Sequence, residues 1–170
     1  MKLSYLWRGL PGHPIHPPLT DAAIGTYTFA TVMAVVDAVG LAEQNAAKAW
    51  WLALIVGLIV TVPTALTGLL DWLTITWWTP LWRTATTHLA VMVTATILFG
   101  LTALVGHDDY DRGDLGSGSL ILTLVAFVAL TVGGWLGGTI TFVHGMRTLS
   151  LPDLPASEAM APKEKSDQAE

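Results

Sequence analysis

Four apolar runs constrain this chain more than any other feature. They span about Thr20 to Val39, Trp50 to Leu70, Thr86 to Val105 and Ser119 to Val143. Each is close to the roughly 20 residues that carry a helix across about 30 Å of hydrocarbon. In lipid a segment must satisfy its own backbone hydrogen bonds, so helices are the expected form. The connections, Gly40–Ala49, Asp71–Ala85 and Gly106–Gly118, are short. The expectation is therefore an all-α, integral membrane four-helix bundle. A segment at 1–19 precedes the bundle at 20–147, and a disordered polar tail at 148–170 follows it.

Composition supports the bilayer as solvent. Of 170 residues, 52% are hydrophobic and 12% charged, and the mean hydropathy is +0.56. The charged fraction is about half that of soluble domains. With no cysteine, disulfides, thiolate metal sites and iron–sulfur ligation by this chain are excluded. A net charge of −5 argues against nucleic acid as a partner. The N-terminus lacks the apolar core of a cleavable signal peptide, so the first span is expected to direct insertion. Lys2, Arg8, Arg83, Arg147, Lys163 and Lys165 fall on one side of the four-span topology, and only Lys48 and Arg112 on the other. The positive-inside rule then predicts both termini and the tryptophan-rich second connection in the cytoplasm of a bacterial cell, with the chain in the inner membrane.

Four of the five histidines gather at that cytoplasmic end: His13 and His16 before the first span, His88 in the third, His144 closing the fourth. Asp21 and Asp71 lie at the same end, whereas His107 sits in the acidic outer loop. Ionisable groups at the edge of hydrocarbon are costly and tend to point into a bundle. Gly57, Thr61, Thr64, Gly68 and Asp71 form one small, polar stripe on the second span. Asp21, Gly25 and Thr28 do so on the first. Gly133, Gly137 and His144 fall nearly on one line of the fourth, leaving room for a flat ligand. Structural readings stand beside these. The Gly133-Gly134-x-x-Gly137-Gly138 pattern is also a helix-packing motif. Trp72, Trp77, Trp78 and Trp82 are interfacial anchors, Asp71 is a partner for Arg83, Pro63 is a kink, and the His13–Pro18 run is a rigid extended segment. No internal repeat is evident, and neither a Ser–His nor an HExxH arrangement is present.

Gly12-His13-Pro14-Ile15-His16-Pro17, Thr67-Gly68-Leu69-Leu70-Asp71-Trp72, Gly133-Gly134-Trp135-Leu136-Gly137-Gly138 and His144-Gly145 resemble a bacterial membrane family, domain of unknown function 2231, from about Gly12 to Arg147. Some relatives join this domain to a Rieske domain, which implies redox work by association and a redox partner protein. Some also carry His at the positions of Asp21 or Thr139 and Arg at that of His144, which places His144 behind His16 and His88 as a ligand.

The leading expectation is a membrane electron-transfer protein with a haem b or a transition metal at the cytoplasmic face. Haem would be held by His88 with His16 or His144, over Gly133 and Gly137, with Arg8, Arg83 or Arg147 near the propionates. A metal ion would draw on His13, His16, His88, His144 and Asp71. Asp71 and Asp21 would orient the histidines or move protons. The other reading is a non-catalytic scaffold or accessory subunit, alone or as a homo-oligomer. A transporter is disfavoured because no charged midplane site is visible.

Overall fold

A computed structural model of the chain describes residues 5–10, 12–42, 44–149 and 151–160. Lys2, Lys163 and Lys165 of the charge argument, and the end of the tail, lie outside them. A helical turn α1 (Tyr5–Arg8) leads into a small hairpin in which β1 (Gly9–Leu10) pairs antiparallel with β2 (His13–Pro14). Then come α2 (His16–Ala38), α3 (Gln44–Trp72), α4 (Pro80–Val105), the short α5 (His107–Arg112) and α6 (Ser117–Gly138). A π-helical turn, Thr139–Val143, continues α6, and one turn, α7 (Ala156–Ala159), lies in the described part of the tail. Four helices are long and apolar enough to cross a membrane.

The spans begin earlier than the apolar runs alone predicted. Pro17 and Pro18 sit in the first turn of α2, where no N–H is needed, so His16 is already helical rather than part of an extended arm. Likewise Pro80 opens α4 behind Thr79, whose hydroxyl accepts the Trp82 N–H at 3.2 Å. Polar Gln44 and Asn45 are absorbed into α3, which runs unbroken through Pro63. The third connection is itself partly helical, as α5.

The bundle is two hairpins side by side. α2 packs along α3 and α4 along α6, with sparser contacts from α3 to α4 and from α2 to α6. α2 and α4 therefore face each other diagonally. The hairpins are related by an approximate two-fold axis along the bundle. The buried positions of α2, Ala23, Tyr27, Ala30, Thr31 and Ala34, recur in the third span as Ala95, Phe99, Thr102, Ala103 and Gly106, at the offset that separates His16 from His88. Trp50, Leu54, Gly57 and Thr64 of α3 recur as Ser119, Thr123, Ala126 and Gly133 of α6, at the offset that separates Gly68 from Gly137. The repeat is one of burial, not of identity, which is why it is silent in the sequence. On the axis Tyr27 and Phe99 stack with centroids 4.0 Å apart and planes 4° from parallel.

The core fills the half of the bundle away from the histidines. Trp50 is fully buried, donates its indole N–H to Thr123 at 3.0 Å and lies against Gly106. Trp51 donates to the Ala103 carbonyl at 2.9 Å, and the Asp37 carboxylate accepts the Leu115 N–H at 2.9 Å. A Cβ on Gly106 would sit 2.2 Å from the Trp50 ring, whereas one on Gly25 would meet nothing within 4 Å. Gly106→Ala should thus lower stability by about 1–3 kcal/mol. Gly25→Ala should not, and thermal unfolding of the two variants in detergent checks the contrast.

Candidate functional site

The other half of the bundle is hollow. A cavity of about 160 Å³ lies among α2, α3, α4 and the end of α6. On α3 its lining runs from Thr61 to Trp72 and on α4 from Ala85 to Thr96. At 1.5 Å per residue that is roughly 16 Å along the axis. Its wall is mostly apolar, with four threonines (Thr20, Thr61, Thr64 and Thr96), His16, His88, Asp71 and Arg147 as polar exceptions.

Two histidines line it, and they are held in the same way. His16 donates Nδ1–H to the Thr64 carbonyl at 3.0 Å, with Thr67 Oγ1 at 3.2 Å, and its ring lies on Gly68. His88 donates Nδ1–H to the Gly133 carbonyl at 2.8 Å, and its ring lies on Gly137. In each hairpin an imidazole on the first helix thus reaches a carbonyl on the second and rests on the glycine one turn later. A carbonyl can only accept, so both bonds fix the tautomer with the proton on Nδ1. Nε2 is left with a free lone pair in each ring, and among the described residues neither Nε2 has a hydrogen-bond partner. This orientation by a backbone carbonyl is the one that ligating histidines usually show.

The end of the cavity nearest the helix termini is closed by an ion pair. Arg147 bonds the buried carboxylate of Asp71, with Met146, Trp72 and Ile75 around them. Asp71 was paired with Arg83 on sequence grounds; Arg83 is exposed, and Arg147 takes its place because the chain doubles back after the π turn.

The remaining expected site residues are dispersed. His144 hydrogen-bonds Thr84 at 3.1 Å and does not line the cavity. The line from Gly137 to His144 assumed 3.6 residues per turn, and the wider π turn between them breaks it. Gly133 contributes its carbonyl to His88 and packs on Met92 rather than forming the wall. His13 is exposed in β2, and Asp21 and Gly25 are exposed on α2, so the polar stripe of α2 faces away from the cavity. Arg8 also lies off the cavity wall. His107 is at the far end, edge-on to Trp51 and 3.5 Å from Asp111. Among the described residues no three His, Asp or Glu side chains are grouped to hold a metal ion. The stripe of α3 does face inward: Gly57 lies beneath Tyr27, whose hydroxyl donates to Thr61 at 2.9 Å, and Thr61, Thr64, Gly68 and Asp71 line the cavity. Thr67, which shares the His16 proton, entered the sequence reading only as the first residue of the Thr67–Trp72 motif, with no role assigned.

The tautomer is directly measurable. Nitrogen-15 spectra of the labelled imidazoles should show both His16 and His88 protonated on Nδ1 and bare on Nε2 at neutral pH. A Cβ on Gly68 would lie 2.6 Å from His16 Cε1, so Gly68→Ala should shift the His16 resonances and leave those of His88 in place.

Neither curated proteins nor solved structures give a match to this chain. A family model described as a predicted membrane protein, domain of unknown function 2231, matches residues 12–150. That span holds both hairpins, the two cavity histidines and Arg147, and the chain belongs to this family of predicted membrane proteins.

Proposed function

We propose that the chain is a membrane redox protein in which His16 and His88 hold the redox-active group. The observation that carries this reading is the matched pair of imidazoles. They come from diagonal helices, each has its Nδ1 proton tied to a backbone carbonyl, each leaves Nε2 without a hydrogen-bond partner among the described residues, and both rings line one shared cavity. Electron carriers in helical bundles are built in this way, with axial imidazoles from facing helices. Asp71 and Arg147 place compensating charge at the end of the cavity.

Two classes of bound group are consistent with two imidazoles. A haem b would use them as an axial pair, with Arg147 the nearest cation for a propionate. Seating it would require the hairpins to part along their sparser seams. A transition metal ion would bind the same two nitrogens and complete its shell with water, since among the described residues no third His, Asp or Glu is grouped with them. The charge asymmetry that survives among described residues, Arg8, Arg83 and Arg147 at the cavity end against Lys48 and Arg112 at the other, favours the cavity end facing the cytoplasm of a bacterial inner membrane.

Absorption spectra of the detergent-purified chain, oxidised and dithionite-reduced, with metal analysis of the same sample, test the reading. A Soret band that moves on reduction, or stoichiometric metal, should appear in the parent protein. Either should fall about tenfold or more in His16→Ala and in His88→Ala, and persist in His13→Ala and His144→Ala. Equal content in all four variants would leave the histidines a structural role and the chain a scaffold.

A further inference from the structure

The cavity has a side door. Of its 21 lining residues only three are exposed on the outer surface: Ala65 and Leu69 on α3 and Val93 on α4. All are apolar, all lie on the two helices with the sparser contact, and Ala65 and Val93 are well inside their spans. At the end of the bundle, by contrast, the lining residues Ile75, Ala85 and Asp71 are buried, and the Asp71–Arg147 pair lies among them. The exposed part of the wall thus faces the hydrocarbon from α3 and α4, while the other end carries the Asp71–Arg147 pair.

Size and chemistry narrow what passes through such a door. About 160 Å³ is below the usual 300–1,000 Å³ of ligand pockets and close to the roughly 150 Å³ cavity known to take one benzene ring. The two bare Nε2 atoms are hydrogen-bond acceptors, so the ring should carry two donors. Resting on the reading of His16 and His88 as the pair that holds the redox-active group, we infer that this group is the head of a membrane-dissolved 1,4-quinol, bound in place of haem or metal. Its hydroxyls donate to Nε2 of His16 and His88, and its isoprenoid tail leaves between Ala65, Leu69 and Val93 into the lipid.

The test uses the full chain in lipid nanodiscs and 2-decyl-1,4-benzoquinol as probe, with binding read by equilibrium partition against empty discs. The expected result is one quinol per chain. Affinity should fall about tenfold or more for the 1,4-dimethyl ether of the probe, which cannot donate, and for His16→Leu and His88→Leu. Val93→Trp, which blocks the door without touching the histidines, should also abolish binding, and its unchanged thermal unfolding would show that the fold survives. Equal affinity for the dimethyl ether, or quinol binding untouched by Val93→Trp, would overturn the inference. Absence of quinol binding together with a histidine-dependent Soret band or metal would overturn the quinol alone and leave the redox reading standing. Quinol binding that ignores both histidine variants would overturn both.

Discussion

Lipid chains are as apolar as leucine, so nothing expels these helices from their solvent toward one another. They hold together only where backbones come close enough for contact and for polar side chains to reach across. Small residues permit that approach. Gly57 lets Tyr27 lie against α3, the small Ala126 is buried in the same cluster as Phe99, and the two rings stack between the hairpins. Leucines and valines face outward almost everywhere else, and the large exposed residues are the lipid-facing surface rather than a defect of the core.

The same approach makes the site. Each imidazole lies on a glycine: a Cβ on Gly68 would displace the His16 ring, and one on Gly137 would press on the His88 ring at 3.2 Å. Each ring bonds a carbonyl of a helix in the same hairpin, so the assembly of each hairpin sets its own histidine. Docking of the hairpins then brings the two Nε2 atoms to one cavity. The tautomer, the cavity and the packing are consequences of one geometry, and none is adjustable alone. The far half is closed by Trp50 and Phe99. Where aromatic filling stops, below Thr61 and Thr96, the hollow begins.

Much of this was legible in the residues. Run length gave the spans, and His16 and His88 were expected at one level, although His88 was put in the first turn of its span and lies two turns inside α4. The four-and-three spacing of Thr61, Thr64, Gly68 and Asp71 gave one wall. What failed did so for local reasons. Pro17 and Pro18 fit both a helix start and an extended run, and the span was begun at Thr20; the helix starts at His16, and α4 likewise begins at a proline. His144 was placed by uniform helical pitch, which the π turn at Thr139–Val143 violates. The two-fold relation was invisible because Tyr27 answers Phe99 and Trp50 answers Ser119. Shape and burial repeat, but letters do not.

That burial repeat has a consequence for how the halves depend on each other. A single hairpin of this kind exposes a histidine, one wall of a hollow and half an aromatic stack, and covers none of them by itself. The seven residues between Trp72 and Pro80 join α3 to α4 and so hold the two halves in one chain. Halves joined in one chain need not match: Asp71 stands where the second half carries Ile140, both on the cavity wall, and the second half answers that carboxylate from beyond its helix, through Arg147.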